Sequence, residues 1–204
     1  GGYRTILQDV SDRQLERARG TIAANLDKGV ARGKVAPDDA KGALARLETL
    51  TSLEGAGREA DFVVEAVPED IRLKLEIFSV LDRSAREGVV LATNTSALSI
   101  TEIAGGTKRP ESVIGMHFFN PVHVMKLVEV VRGLETGDAA YATTDEVARR
   151  MGKETVEVKE SPGFVTSRVN ALIGNEAFYM LESGVASARD IDKALKLGLN
   201  HPMG

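Results

Sequence analysis

Short apolar segments of the β type alternate with amphipathic helical segments along residues 1–160, and this alternation constrains the fold more than any other feature. Residues 61–67 (DFVVEAV) and 89–93 (VVLAT) are rich in apolar side chains, as strands buried on both faces are. Residues 71–85, between them, carry apolar side chains at helical spacing. The alternation predicts an α/β fold in which helices wrap a parallel sheet.

The same periodicities predict the individual elements. Strands are expected at residues 3–7, 50–53, 61–67, 89–93, 113–117, 127–131 and 155–158. Helices are expected at residues 12–30, from Pro37 onward, and at 71–85, 100–104, 138–151, 164–182 and 190–197. Only helical segments follow the sequence SPG at residues 161–163. We therefore expect a doubly wound domain over residues 1–160 and the start of an all-helical domain over residues 161–204.

The composition argues against several classes of protein. A formal net charge of −4 argues against nucleic-acid binding, which usually requires a basic surface. No apolar run approaches the roughly 20 residues of a membrane-spanning helix. The chain has no cysteine, which rules out disulfides and cysteine-ligated metals. The spacing of its 3 histidines does not match zinc-ligand patterns, so no metal site is expected.

Asp9 stands just past the first predicted strand. In a dinucleotide-binding fold, an acidic residue at the tip of the second strand accepts hydrogen bonds from ribose hydroxyls. It also repels the additional phosphate of NADP. The alternative is a turn or capping residue ahead of the next helix. The glycine-rich phosphate loop G-x-G-x-x-G is not in the chain, so we expect the first strand and its glycine turn to lie upstream of residue 1.

Residues 93–100 (TNTSALSI) place small hydroxyl and amide side chains at the end of a predicted strand. In open α/β sheets, ligands bind at the carboxyl ends of the strands. Ser96 is therefore a candidate to donate a hydrogen bond to a substrate oxygen. An N-terminal cap of the following helix explains the same residue types equally well.

His117 and Glu129 lie in residues 115–131 (GMHFFNPVHVMKLVEVV), at the ends of two apolar runs. Neutral histidine is well suited to taking up a proton near neutral pH. A carboxylate inside LVEVV needs a partner, because burying an unpaired charge is costly. We expect Glu129 to bind one ring nitrogen of His117 and to stabilise the imidazolium. The alternative is a histidine that is simply buried and hydrogen-bonded in the core.

A cluster of basic residues, Lys28, Arg32 and Lys34, lies in residues 25–34 (NLDKGVARGK). Such clusters on a helix are usually a solvated face. They also suit the phosphates of a large anionic ligand.

Taken together, these residues resemble the NAD-dependent (S)-3-hydroxyacyl-CoA dehydrogenase family, which includes bacterial 3-hydroxybutyryl-CoA dehydrogenases. The similarity runs over essentially the whole chain. It rests on VVEAVPED at 63–70, NTSALSI at 94–100, GMHFFNPVHVMKLVEVV at 115–131, SPGFVTSRV at 161–169 and LGLNHPMG at 197–204. The resemblance implies a Rossmann-type domain, NAD as the cofactor and a small-molecule acyl-CoA substrate. It also implies a homodimer formed through C-terminal helices that we expect to be mostly absent from this chain.

The resemblance also implies a role for each matching residue. His117 is similar to the family's catalytic base, and Glu129 to its partner carboxylate. Ser96 resembles the serine that hydrogen-bonds the 3-oxygen of the substrate, and Asn120 the asparagine near the nicotinamide. The residues implied in binding NAD are Asp9, Glu69, Lys74, Ala66, Val67 and Asn94. Those implied in binding coenzyme A are Asn25, Lys28 and Arg32.

The chain departs from the family pattern in two respects. The family usually has an asparagine early in the helix after PGF, whereas this chain has Ser167 there. A serine hydroxyl is shorter, but it can reach a substrate through a water molecule, so we include Ser167 among the catalytic residues. We also expect family sequence to be missing at both ends, since the family continues beyond HPMG.

The expected activity is hydride transfer between C3 of a short-chain (S)-3-hydroxyacyl-CoA and NAD, in β-oxidation or butanoate metabolism. Three alternatives stay open: a related dehydrogenase for a non-CoA hydroxy acid or a longer acyl chain, a catalytically weakened binding relative, and one segment of a multifunctional β-oxidation protein. A bacterial chain of this kind is expected in the cytoplasm, and a mitochondrial origin is the alternative.

Overall fold

The computed structural model of the chain describes residues 1–202. Met203 and Gly204, the last two residues of the LGLNHPMG motif, lie outside the described residues. The chain forms two compact units, of which the first spans Gly1–Glu160 and the second begins at Ser161.

The first unit contains all seven described strands and six helices. The strands are β1 (Thr5–Gln8), β2 (Leu47–Leu50), β3 (Phe62–Glu65), β4 (Val90–Thr93), β5 (Val113–Phe118), β6 (Leu127–Arg132) and β7 (Glu154–Lys159). The helices are α1 (Asp12–Ala31), α2 (Pro37–Ala45), α3 (Leu53–Glu59), α4 (Ile71–Ser84), α5 (Ile100–Gly105) and α6 (Asp138–Arg150), and a short 3₁₀ helix covers Pro110–Ser112. The second unit contains α7 (Thr166–Glu182) and α8 (Ala188–Gly198).

Most helix starts follow from capping residues that the sequence supplies. The Ser11 side chain accepts a hydrogen bond from the backbone N–H of Gln14 at the start of α1. Asp70 accepts hydrogen bonds from two backbone N–H groups in the first turn of α4. Pro37 is the first residue of α2, where its missing N–H has no helical partner to lose.

Five strands form the main sheet, in the order β3-β4-β5-β6-β7. β3, β4 and β5 are parallel, whereas β5 and β6 are antiparallel and β6 and β7 are parallel again. α6 packs on one face of this sheet. The core on that face comprises Val90, Ala92, Ile114, Met116, Val128, Val130, Ala140 and Ala148. The α/β fold with a Rossmann-like parallel core, followed by a helical region, is confirmed.

β1 and β2 pair in parallel as a separate two-stranded sheet. Among the described residues, no strand is hydrogen-bonded both to β1 and to β3, so the sheet is in two parts. α3 connects them by packing, because it contacts β1, β2 and α4. The contact with α4 is close: a Cβ added at Gly57 would lie 2.4 Å from the Ser84 side-chain oxygen.

The predicted strand at residues 50–53 is wrong in position. β2 ends at Leu50, and Ser52 caps the following helix by accepting a hydrogen bond from the backbone N–H of Gly55. Helix α3 is not predicted from the sequence, because this seven-residue helix contains two glycines and lacks a long apolar stripe. The antiparallel pairing of β5 with β6 also departs from the predicted parallel sheet.

No helix among residues 1–202 is long and apolar enough to cross a membrane.

Candidate active site

The side chains of His117 and Glu129 meet across β5 and β6. The antiparallel register makes them direct partners on adjacent strands, where side chains on one face lie roughly 5 Å apart. His117 Nδ1 lies 2.7 Å from Glu129 Oε2. The two side chains are 6% and 0% exposed. A carboxylate that is completely removed from water requires such a partner, because its burial alone would be strongly unfavourable.

This contact determines which ring nitrogen can exchange a proton. A carboxylate only accepts hydrogen bonds, so the Glu129 contact favours the tautomer in which Nδ1 carries the hydrogen. The lone pair is then on Nε2, which is the proton acceptor of the ring. When His117 takes up a proton, Glu129 stabilises the imidazolium at short range, as the carboxylate does in other histidine-based sites.

The carboxyl half of β5 is closely packed around His117. The His117 ring lies 4.6 Å from the Phe119 ring, centroid to centroid. Two residues earlier, a Cβ added at Gly115 would lie 2.6 Å from Ile100 Cδ1 and 2.9 Å from Val131 Cβ. Helix α5 therefore packs directly against the backbone of β5 at Gly115.

Asn94 connects the ends of three strands. Its side-chain Oδ1 accepts a hydrogen bond from the backbone N–H of Phe118 over 2.9 Å. Its own N–H donates to the carbonyl oxygen of Glu65 over 2.8 Å. The predicted cofactor residue Asn94 thus holds the segment after β4 against the end of β5, next to His117.

Ser96 is exposed in the segment between β4 and α5, and Glu69 holds that segment. Glu69 Oε1 accepts hydrogen bonds from Thr95 Oγ1 at 2.6 Å, from the Ser96 N–H at 2.8 Å and from the Ala97 N–H at 3.1 Å. Burial opposes the ionisation of Glu69, but these three bonds and the Lys74 charge outweigh it and hold the pKa of Glu69 below its ordinary value.

Lys74 is completely buried in α4, directly beneath this segment. Its Nζ lies 2.8 Å from Glu65 Oε1, 3.3 Å from the Val67 carbonyl oxygen and 3.6 Å from Glu69 Oε2. The family resemblance implies Lys74 and Glu69 in cofactor binding, whereas Glu65, Thr93 and Thr95 are not predicted from the sequence. Two features of the sequence could have indicated a buried ion pair. Glu65 is an acidic residue within the apolar run VVEAV, and Lys74 lies on the same predicted helix as the apolar residues Phe78 and Leu81.

The remaining cofactor candidates lie at the ends of β1 and β3. Asp9 follows β1 and is half-buried, and its Oδ1 accepts a hydrogen bond from the Ser11 N–H over 2.9 Å. Ala66 is exposed directly after β3. The N–H of Val67 donates to Glu65 Oε1 over 2.6 Å. Among the three, only Asp9 offers a charged side chain to a ligand.

Asn120 and Ser167 belong to different units. Asn120 is exposed in the segment that follows β5, next to a cis peptide bond with Pro121. Ser167 is the second residue of α7 and is half-buried.

Asn25, Lys28 and Arg32 share one face at the end of α1. Asn25 and Lys28 lie in the helix and Arg32 caps it, with the Arg32 N–H bonded to the Lys28 carbonyl oxygen. Spacings of three and four residues place side chains on the same side of a helix. Asn25 is half-buried, and both basic side chains are exposed to solvent. The arrangement presents two positive charges and one amide.

Among residues 1–202, no group of three or more histidine, aspartate or glutamate side chains is arranged to hold a metal ion.

Two family models match the chain. "3-hydroxyacyl-CoA dehydrogenase, NAD binding domain" matches residues 1–161, and "3-hydroxyacyl-CoA dehydrogenase, C-terminal domain" matches residues 163–204. The chain is 42% identical over 203 residues to a 3-hydroxybutyryl-CoA dehydrogenase of Clostridioides difficile, covering 100% of this chain and 72% of the relative.

Other similarities extend the comparison. A 3-hydroxyadipyl-CoA dehydrogenase of Escherichia coli K12 is 40% identical over 203 residues. The similarity covers 100% of this chain and 42% of that enzyme. Among solved structures, the (S)-3-hydroxybutyryl-CoA dehydrogenase PaaH1 of Ralstonia eutropha superposes with a TM-score of 0.93 at 42% identity. That similarity covers 98% of this chain and 70% of the other.

Proposed function

The chain belongs to the 3-hydroxyacyl-CoA dehydrogenase family, and we propose that the His117–Glu129 pair carries out the proton transfer of its reaction. The protein is an NAD-dependent oxidoreductase that acts on 3-hydroxyacyl-CoA. The observation that carries the proposal is the contact of 2.7 Å between a buried imidazole and a fully buried carboxylate at the carboxyl end of the sheet.

We propose a short-chain substrate of the 3-hydroxybutyryl-CoA type. The support is the similarity to the 3-hydroxybutyryl-CoA dehydrogenases of C. difficile and R. eutropha, both at 42% identity. The exposed face formed by Asn25, Lys28 and Arg32 supports a phosphate-bearing ligand, because two cations and an amide donor suit the phosphates of coenzyme A.

The residues at the carboxyl edge of the sheet fit a dinucleotide. Small side chains, Ala66 and Ser96, are exposed where β3 and β4 end, so the edge is accessible. Asp9 offers a carboxylate of the kind that accepts hydrogen bonds from a ribose. NAD, when bound, supplies the hydride acceptor. We propose that Asp9 contacts its ribose and that Ala66, Val67 and Asn94 contact it at the strand ends.

In the proposed mechanism, His117 Nε2 removes the proton from the substrate's 3-hydroxyl as the hydride leaves C3. In the reverse direction, the protonated ring returns this proton to the 3-keto oxygen. Glu129 stabilises the charged ring, and the exposed Ser96 hydroxyl orients the substrate oxygen. Asn120 and Ser167 are proposed to contact the substrate through an amide and a hydroxyl.

His117→Gln tests the proposal directly. Glutamine retains an N–H donor for Glu129 but does not accept a proton near pH 7, so turnover of acetoacetyl-CoA with NADH should fall about 10²–10⁴-fold. His123→Gln is the matched control, because His123 is exposed on the segment after β5 and has no proposed role. Near-normal turnover of the His117 variant, with both variants folded, would remove His117 from the mechanism.

A homodimer is the proposed assembly. Its support in this chain is apolar surface on the second unit, where Val169, Leu172, Phe178 and Leu197 are exposed. Sedimentation equilibrium at micromolar concentration should give twice the monomer mass, and a concentration-independent monomer mass would reject the proposal.

A further inference from the structure

A buried ion pair lies beneath the segment that carries Ser96. Lys74 Nζ and Glu65 Oε1 are 2.8 Å apart, and their side chains are 1% and 2% exposed. The ammonium also approaches Glu69 Oε2 at 3.6 Å, but the Glu69 side chain is 41% exposed. Glu65 is therefore the buried counter-ion of Lys74, and removing either charge would leave the other buried without its close partner.

The two carboxylates near Lys74 have different partners: Glu65 binds the ammonium closely, and Glu69 binds the segment that carries Ser96. Because Glu65 takes the short contact, Glu69 Oε1 remains available to the three donors of Thr95, Ser96 and Ala97. If Glu65 were neutral, the ammonium would have Glu69 as its only carboxylate partner. The Lys74 ammonium would then attract Glu69 more strongly, and this attraction would compete with the hydrogen bonds that Glu69 accepts from the Ser96 and Ala97 N–H groups.

A second connection leads from Glu65 to the same segment. Thr93 Oγ1 donates to Glu65 Oε2 over 2.7 Å, and this hydroxyl accepts a hydrogen bond from the Thr95 N–H over 3.3 Å. Two chains of contacts thus connect Glu65 to this segment. One runs through Thr93 to the Thr95 N–H at the start of the segment, and the other runs through Lys74 and Glu69 to the Ser96 N–H. No donor or acceptor among the buried side chains of the described residues is left unsatisfied.

We propose that Glu65 is a positioning residue for the reaction, which fixes the Ser96 hydroxyl through the Lys74–Glu69 and Thr93 connections. This inference rests on the proposed function, in which Ser96 orients the substrate oxygen. Glu65 itself is buried, so its proposed effect on the reaction is indirect and passes through these side chains.

The test is a double-mutant cycle of Glu65→Gln and Ser96→Ala, read as kcat and KM for acetoacetyl-CoA with NADH. Glu65→Gln keeps the side-chain shape but removes the charge, and it should lower kcat about 10- to 100-fold, in line with the loss of a charged hydrogen bond. In the Ser96→Ala background, the same change should lower kcat by less than about threefold, because the two residues act as a unit.

Asp82→Asn is the control. It removes the carboxylate charge from a different ion pair, Arg109–Asp82, in which the two side chains are 3.1 Å apart and largely buried. Arg109 lies just before the start of β5, at the end of that strand away from His117. It should lower thermal stability while changing kcat by the same factor with and without Ser96. If Glu65→Gln also gave equal losses in both backgrounds, its role would be structural only and the proposal would be overturned.

The outcomes for the two proposals are distinguishable. A folded wild-type protein without turnover would reject the proposed function and the role of Glu65 with it, whereas normal wild-type turnover with additive losses would reject Glu65 alone. If Glu65→Gln does not fold, Thr93→Val replaces it in the cycle. That change removes the hydroxyl link between Glu65 and Thr95 but leaves both charges in place, and the same non-additivity with Ser96→Ala is expected.

Discussion

Glu129 is the proposed partner of the catalytic base. Its side chain is fully buried in β6 and its Oε2 contacts His117 Nδ1. In the proposed mechanism, the Glu129 carboxylate pairs with the imidazolium that forms during the reaction. The charge therefore stabilises the form of His117 that exists after the substrate's proton has been taken.

Glu129→Gln should keep the packing of β6 but lose this stabilisation. Turnover of acetoacetyl-CoA with NADH is expected to fall about 10- to 100-fold, the equivalent of one charged hydrogen bond. Glu154→Gln, at an exposed position of β7, is the control and should be without effect. Steady-state kinetics decide the matter, and unchanged kcat in the folded Glu129 variant would contradict the assigned role.

Glu69 should make a pH-dependent contribution to stability. Its pKa is lowered from 4.5, because the hydrogen bonds of the Ser96 segment and the Lys74 charge outweigh the opposing effect of burial. A carboxylate with a lowered folded-state pKa stabilises the fold above its unfolded pKa and loses that contribution as pH falls through the folded value. The contribution is therefore complete at pH 7 and declines below about pH 4.5.

The comparison of wild type with Glu69→Gln measures this contribution. The difference between their melting temperatures should be constant from pH 7 to pH 6 and should shrink below about pH 4.5, because only wild type still takes up the proton. A difference that stayed constant down to pH 3 would show that the carboxylate charge does not stabilise the segment.

At the scale of elements, the sequence predicted most strands and helices because their periodicities are strong. Residues 127–131 were expected as a strand, and β6 is found at Leu127–Arg132. The direction of β6 was not predictable, because periodicity contains no information about strand orientation. That direction matters, since the antiparallel register makes His117 and Glu129 direct partners.

The predicted contact between His117 and Glu129 is present, but the network around Glu65 was not foreseen. A buried glutamate requires a partner, yet the sequence does not say which one when the partner lies on another element. Lys74 is nine residues away on α4 and Thr93 is 28 residues away on β4. Only the packing of α4 beside the ends of two strands brings them together.

The contact between α5 and β5 predicts a sensitive glycine. Gly115→Ala would place a Cβ 2.6 Å from Ile100 Cδ1 and 2.9 Å from Val131 Cβ, so both the Ile100 side chain and Val131 on β6 must shift. Overpacking of this kind costs roughly 1–3 kcal/mol, measurable by urea unfolding. Gly105→Ala, at the end of α5, meets no atom within 4 Å and should be neutral or slightly stabilising. Equal stabilities of the two variants would mean that the helix does not constrain β5.

At the scale of the whole molecule, the first unit contains the proposed acid–base pair and the proposed cofactor residues. His117, Glu129 and Ser96 lie at the ends of neighbouring strands in one sheet, where open α/β folds bind ligands. The chain covers 72% of the length of the C. difficile relative and 70% of the R. eutropha enzyme. Asp9, at the end of β1, is the proposed basis for preferring NAD over NADP.

The most direct measurement is the oxidation of NADH by acetoacetyl-CoA, with NADPH assayed in parallel. We expect rapid turnover with NADH and much slower turnover with NADPH, because the Asp9 carboxylate repels the additional phosphate. That result would establish the reaction and show that Ser167 is an adequate replacement for the usual asparagine. A folded protein that binds NADH but does not turn over acetoacetyl-CoA would contradict the account, and Ser167→Asn would be the first reversion to make.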